Sequence, residues 1–315
     1  SYQKNKFATT GQGLTMLNSL YQTPRDVSII SLQDQNDIFN SPGYFYTPYG
    51  VMNPYYILEN YLNEYDAERF YGKFQVDYDF LKYFKFTYRM GLDTTTGQSN
   101  RGEPNLYALF YEGTPNGEGM GSNSPFYGKE GSYSQQITRR REINQDLLLS
   151  FSMPINDFQI NALAGFNGNE RKYSYLYSSV SKLTIPTWYN LSNSAATPTV
   201  EQYLSLRRLM GVFGQVDLSW RNMLYVTLTA RNDWSSTLPK ENRSFFYPGA
   251  TGSFIFTELL DEDMKDILSF GKVRMAWGKT GNDANVYMTK PVYGQSSNRI
   301  PFGYLNFPLG GVNAF

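Results

Sequence analysis

From about residue 66 the chain alternates apolar and polar positions with period two. In 69–78, Phe70, Gly72, Phe74, Val76 and Tyr78 share one face. Arg69, Tyr71, Lys73, Gln75 and Asp77 share the other. After a turn at 79–82, Phe84, Phe86, Tyr88, Met90 and Leu92 oppose Lys85, Thr87, Arg89, Gly91 and Asp93. A helix would scatter these charges around its circumference, so the period predicts strands. The same logic predicts strands at 136–153, 158–168, 205–220, 223–234, 246–257 and 270–279. A single helix is expected from Thr257 to Leu268, with Thr257 as N-cap and acidic residues in its first turns.

These eight strands form four hairpins whose connections alternate in length. They are short at 79–82, 154–157, 221–222 and, with the helix, 258–269. They are long at 1–64, 94–134, 171–202, 236–245 and 282–315, where Gly, Pro, Asn and Ser interrupt any period. Outer-membrane barrels join strands by short turns at one end and long loops at the other, whereas sandwiches place loops at both ends without such alternation. Aromatics gather at strand ends. Tyr78, Phe80, Tyr83, Phe84, Trp220 and Tyr225 lie by the turns, and Trp234, Phe245, Phe246 and Tyr247 at the opposite rim, as interfacial girdles would.

Composition sharpens this picture. The 315 residues include 27 Tyr, 22 Phe and 27 Gly, a strand-and-turn vocabulary with only 18% charged residues. Cys and His are both absent, which removes disulfides, thiolate metal sites and every His-based catalytic scheme. Lys+Arg and Asp+Glu are 28 each, so no net charge favours nucleic acid. No apolar run reaches the roughly 18 residues of a transmembrane helix, and the opening Ser-Tyr-Gln-Lys-Asn-Lys has no leader-like apolar region. Mean hydropathy of −0.48 suits a barrel, whose lipid face is hidden in alternation. The expected fold class is therefore all-β: an antiparallel transmembrane β-barrel, of which about eight consecutive strands are present, with long extracellular loops. The expected division is an extracellular loop region at 1–64, barrel at 65–281 with its helix near 258–268 in a periplasmic turn, and a second extracellular loop region at 282–315. Because loops outweigh strands, the chain reads as an internal piece of a larger barrel.

Several motifs are specific. They are Leu209-Met-Gly-Val-Phe-Gly-Gln-Val-Asp217, Tyr225-Val-Thr-Leu-Thr-Ala-Arg-Asn-Asp-Trp-Ser-Ser-Thr-Leu-Pro239, Asn242-Arg-Ser-Phe-Phe-Tyr-Pro-Gly249 and Leu268-Ser-Phe-Gly-Lys-Val-Arg-Met-Ala-Trp-Gly-Lys-Thr-Gly-Asn282. With Asn53-Pro54-Tyr55-Tyr56 they resemble the SusC/RagA family of TonB-dependent outer-membrane transporters of Bacteroidota. The resemblance covers roughly 50–282. It implies a plugged barrel importing bulky nutrients, glycans or oligopeptides, under TonB-driven energy. It also implies a SusD-like surface lipoprotein as lid, surrounding outer-membrane lipid and lipopolysaccharide, and a dimer of transporter–lipoprotein pairs. The family's plug domain, TonB box and remaining strands are absent from this stretch, so TonB contacts lie outside it. No cofactor or metal and no enzymatic activity is implied. The competing class is a secreted all-β carbohydrate-binding or adhesin protein, soluble without detergent.

Two sets of residues carry the candidate chemistry. The loop aromatics Tyr107, Phe110, Tyr111, Phe126, Tyr127, Trp188 and Tyr189 can stack on sugar rings or pack on peptide side chains. Packing of the loops on one another, or on a lipoprotein, is the plainer alternative. In the strongest motif, Arg231-Asn232-Asp233-Trp234, Arg231 and Asp233 either meet plug or solute in the lumen or form a structural ion pair, the preferred reading. Arg139, Arg140, Arg141 and Glu142 read as a solvated strand end near the outer rim. Asp261, Glu262 and Asp263 are consecutive and lack the alternation of a calcium loop.

Overall fold

The computed structural model describes residues 1–7, 15–41, 45, 51–110, 129–289, 294–295 and 305–306. Its main feature is a nine-stranded antiparallel sheet in strict chain order. The strands are β1 (Tyr2–Lys6), β2 (Leu62–Phe80), β3 (Phe84–Glu103), β4 (Ser132–Ile155), β5 (Phe158–Ser181), β6 (Thr199–Trp220), β7 (Leu224–Ser235), β8 (Ser244–Ile255) and β9 (Lys272–Gly278). No described helix is long and apolar enough to cross a membrane. The residues group into two compact units. One holds 1–69, 95–139 and 174–204; the other holds 70–94, 140–173 and 205–315.

In the second unit, the sheet has the two faces that the alternation predicts. The registers Val216↔Leu228↔Ala250↔Trp277 and Leu218↔Val226↔Gly252↔Met275 put apolar residues of four strands on one side. That side is exposed: Phe70, Phe74, Met210, Val212, Leu228, Met275 and Trp277 all show about half or more of their surface. The other side pairs polar groups with one another. Tight reversals join the strands, with Leu81 at φ 56°, Asn156 at φ 51°, and Arg221 and Asn222 at φ 48° and 55°. Asn is the non-glycine residue that best tolerates this left-handed conformation. Aromatics near the first turns stack in sequence, Tyr78 on Phe80 at 6.1 Å, Phe80 on Phe84 at 5.7 Å and Phe84 against Phe151 at 5.0 Å.

Four expectations need correction. The first is the strand count: β1 lies within the stretch read as wholly irregular. It has no apolar period, and its cross-strand pairs include Lys4↔Asp66 and Lys6↔Glu64, so charge complementarity marks it. The second is strand length, since β3 runs to Glu103 and β5 to Ser181, shrinking the long loops to 104–131 and 182–198. The extension Thr95-Thr-Gly-Gln-Ser-Asn-Arg-Gly-Glu103 is polar on both faces. Beyond Asn169 neither face is consistently apolar, since Glu170, Lys172 and Ser174 precede Leu176 and the buried Val180 on one face and tyrosines line the other. The simple alternation is lost while the strand continues. The third is the helix from Thr257 to Leu268. It is a 3₁₀ turn (Phe256–Leu259) and a separate four-residue helix (Glu262–Lys265). Leu259, Met264 and Ile267 are exposed, so no packed face holds a longer helix together. Thr257 is buried and its Oγ1 accepts a hydrogen bond from the Gly271 amide. The fourth is the far rim: register puts Trp234 and Phe246 on the apolar face, while Phe245 and Tyr247 stack at 6.4 Å on the polar one.

The first unit is more than loop. Helices α1 (Met16–Gln22), α2 (Pro54–Asn60) and α3 (Leu106–Phe110) enclose a small core of Met52, Tyr56, Ile57, Tyr61 and Leu106. Asn53 organises it. Its Oδ1 accepts from the Tyr55 amide as N-cap, with Pro54 at the first helical position. Its Nδ2 donates to Leu32 O and Asn40 O, both at 2.7 Å, and the residue is fully buried.

Two outcomes follow. Asn53→Ala removes the cap and strands the buried Leu32 carbonyl and the part-buried Asn40 carbonyl, an expected loss of about 1–3 kcal/mol. Proteolysis of the 15–60 region should rise in parallel, and unchanged protection would contradict the clamp. Phe86→Arg, on the apolar face, should cost about 2–4 kcal/mol in denaturant unfolding from bilayers if that position lies near the midplane. Free tolerance of the arginine would show that the face does not meet lipid.

Candidate functional site

The polar face of the second unit is built as a series of self-satisfied clusters. At the β2–β3 hairpin, Thr87 Oγ1 and Gln75 Nε2 donate to the two oxygens of Asp77 at 2.6 and 2.7 Å. Lys85 Nζ stands 3.6 Å from the same carboxylate. The β6–β7 hairpin repeats the arrangement: Thr227 Oγ1 and Gln215 Nε2 donate to Asp217 at 2.6 and 2.8 Å. A Gln-Val-Asp followed ten residues later by Thr generates both. The hairpin between them has a neutral version, in which Gln159 Nε2 donates to Ser152 Oγ and to Asn161 Oδ1, and Ser152 Oγ donates to Asn161. Farther along β4 and β5, Asn167 donates to Asp146 at 2.6 Å, Asn169 donates to Glu142 at 2.7 Å, and Arg171 pairs with Glu142 at 3.0 Å.

Arg231 and Asp233 belong to this face. Arg231 Nε donates to Asp233 Oδ1 at 2.7 Å, and its guanidinium lies over the Phe213 ring at 5.4 Å. Gly211 and Gly165 make room for them. A Cβ at Gly211 would meet Asp233 Oδ1 and lie 2.6 Å from Arg231 Nη2, and one at Gly165 would overlap the Phe213 ring. Asn232 and Trp234 of the same motif sit on the opposite face, across from Val212 and Met210, and Asn232 bonds Ser244 at 3.0 Å. The four-residue motif therefore divides: two residues lie on the polar face and two on the apolar face, as strand alternation requires.

A residue the motif reading passed over, Asp283, closes the end of this face. Arg207 holds it through Nε and Nη2 at 3.1 and 2.6 Å, Ser235 Oγ donates at 2.6 Å and Thr237 Oγ1 at 3.1 Å. Burial pushes the carboxyl pKa up, but the bonds from Ser235, Arg207 and Thr237 and the arginine charge outweigh it, leaving it below its ordinary value. The only sequence clue is its position directly after Gly281-Asn282, a few residues beyond β9.

The described loop aromatics belong to the first unit. Phe110 meets Tyr56 edge-on at 5.6 Å, and Tyr107 donates its amide to Lys129 O. Tyr189 stacks on Tyr133 at 6.2 Å, donates its hydroxyl to Asn60 O, and covers Gly102, where a Cβ would sit 2.5 Å from its ring. Burial raises the Tyr189 pKa and takes that of Tyr56 to about 12, so both hydroxyls stay protonated. Trp188, beside Tyr189, is 47% exposed. Tyr111, Phe126 and Tyr127 lie outside the described residues. Among the described residues no acidic group is arranged to hold a metal ion.

No family model matches the chain. The TonB-dependent receptor P3 of Formosa agariphila is 23% identical over 279 residues, covering 87% of this chain and 25% of that protein. The TonB-dependent receptor SusC of Bacteroides thetaiotaomicron is 26% identical over 290 residues, covering 88% and 26%. Among solved structures, the RagAB peptide importer in its closed-closed state superposes with a TM-score of 0.68 at 15% identity, over 84% of this chain and 28% of that one. The chain spans about a quarter of the length of the curated relatives it matches. In sequence and fold it is SusC/RagA-like.

The Asp283 cluster has a defined pH response. Because the folded carboxyl pKa lies below the ordinary value of 3.8, its stabilisation is complete above that pH. It is lost as pH falls through the lower folded value. Hydrogen exchange should show residues 279–289 losing protection at the acidic end of this window, and Asp283→Asn should loosen them already at neutral pH. Equal protection in the variant would refute the latch.

Proposed function

We propose that this SusC/RagA-like segment forms part of the outer-membrane barrel wall of a TonB-dependent importer of bulky nutrients. Its apolar face meets lipid and its polar face lines the lumen. The observation that carries the reading is the division of the second unit's sheet into an exposed apolar face and a self-paired polar face. A soluble binding protein or adhesin gains nothing from leaving Phe70, Phe74, Met210 and Val212 in water. A barrel wall requires them outside.

The substrate class is an oligomer, glycan or oligopeptide, admitted under a SusD-like lipoprotein. The structural neighbour, a peptide importer, supports the oligopeptide class. Within the extracellular part, the exposure of Trp188 supports a contact with solute there, whereas Tyr189 and Phe110 pack within the first unit. The Arg231–Asp233 pair is assigned a structural role in the lumen wall.

Uptake of labelled oligopeptides and oligosaccharides by cells with and without the full-length gene tests the reading. Loss of one class on deletion, together with co-purification of a lipoprotein in detergent, is the expected result. Trp188→Ala should weaken uptake without changing the amount of folded protein. Undiminished uptake of both classes, with the protein recovered from a detergent-free soluble fraction, would support the secreted alternative.

A further inference from the structure

The apolar face of the second unit ends, away from the tight turns, in a cluster of cations. Strand alternation places Arg141 on the face of Leu147 and Leu149, Lys172 on that of Phe166, and Arg208 on that of Met210 and Val212. Those five apolar side chains are 37–51% exposed. Arg141 Nη2 donates to Glu170 Oε1 at 2.9 Å and Arg208 Nε to Glu170 Oε2 at 2.8 Å. One carboxylate thus fixes two guanidiniums side by side. The Arg208 backbone is itself clamped, its amide donating to Ser236 Oγ at 2.8 Å and its carbonyl accepting from the Ser236 amide at 2.9 Å.

Lys172 completes the group. Counting back from the Asn156-Asp157 turn sets it across the ladder from Arg141, in the same register that pairs Arg171 with Glu142. It has no hydrogen-bond or ion-pair partner among the described residues. The Arg141 and Arg208 side chains remain 47% and 63% exposed, against 24% for Glu170. Each guanidinium has five N–H donors and spends few of them on Glu170. The cluster therefore presents two units of net positive charge and a set of free donors directly beyond an apolar strip.

An amphiphile with an anionic head fits this arrangement. A small acidic solute would use the cations but not the strip, and an apolar partner would use the strip but not the cations. We propose that Arg141, Lys172 and Arg208 bind the phosphate headgroup of a phosphorylated lipid of the surrounding leaflet, with its acyl chains lying along Phe166, Val212 and Met210. Arginine pairs suit phosphate because their planar forks offer parallel charge-assisted bonds. The proposal rests on the reading that this face meets lipid.

The test uses the full-length protein in detergent micelles, with lipid A as probe and native mass spectrometry as readout. Arg141→Gln/Lys172→Gln/Arg208→Gln is compared with Lys85→Gln/Arg171→Gln/Arg274→Gln, which removes the same charge from the opposite face. Heat-modifiable gel migration verifies that both remain folded. The outward triple variant should bind lipid A about tenfold more weakly and the control should match wild type. Dephosphorylated lipid A should lose the wild-type preference. Unchanged binding by the outward variant, or equal loss in the control, overturns the proposal. So does displacement of the lipid by inorganic phosphate at matched concentration, which would mark a site for free acidic solutes. If the wild type instead retains neither lipid A nor neutral phospholipid and needs no detergent, the barrel-wall reading itself fails.

Discussion

Hydrocarbon offers no hydrogen bonds, so a chain that enters it must pair every backbone N–H and C=O with another stretch of itself. The rest of this structure follows from that demand. It favours long antiparallel neighbours joined in chain order, as β1 to β9 are, and it forbids irregular backbone in contact with lipid. It also fixes the side chains. With period two, one face must be apolar, and the polar remainder is forced onto the other at about the density of one residue in two.

That second face creates its own problem, which the sequence answers locally. Carboxylates and amides crowded together need partners from neighbouring strands. Asp77 and Asp217 each take a threonine from the next strand and a glutamine two residues back. Arg231 takes Asp233 from its own strand, and Asp283 returns from beyond β9 to collect Arg207, Ser235 and Thr237. The glycines at 165 and 211 are the complement of this crowding, since Phe213 and the Arg231–Asp233 pair occupy the space their side chains would fill. The wall is thus held by ladders along the backbone and by short polar clusters across it.

The alternation made the central strands legible because an apolar face and a polar face differ in chemistry. Where no face is consistently apolar the period is lost, which is why β1 and the extensions to Glu103 and Ser181 do not show in the pattern although they belong to the same sheet. The helix expected over 257–268 had good local propensity, yet nothing packs against Leu259 or Ile267, and tertiary context won. Asn53-Pro54 was visible as a motif, but its long-range carbonyl partners at Leu32 and Asn40 were not. A structural ion pair at Arg231 and Asp233 is the reading that partial burial of charges favours, and it is found, whereas Asp283 escapes the sequence because its partners are more than forty residues distant along the chain. For the loop aromatics, sequence supplied the residues, while the contrast between exposed Trp188 and enclosed Tyr189 needed the fold.

The claim that one face meets lipid and the other does not is open to direct measurement. This stretch contains no cysteine, so single cysteines carrying nitroxide labels can be placed at Phe86 and Val212 on one face and at Thr87 and Gln215 on the other. In reconstituted bilayers, the account predicts high oxygen and low water-soluble nickel accessibility at Phe86 and Val212, and lower oxygen accessibility at Thr87 and Gln215. Nickel accessibility at all four positions, or oxygen accessibility that does not alternate between adjacent residues 86 and 87, would contradict it.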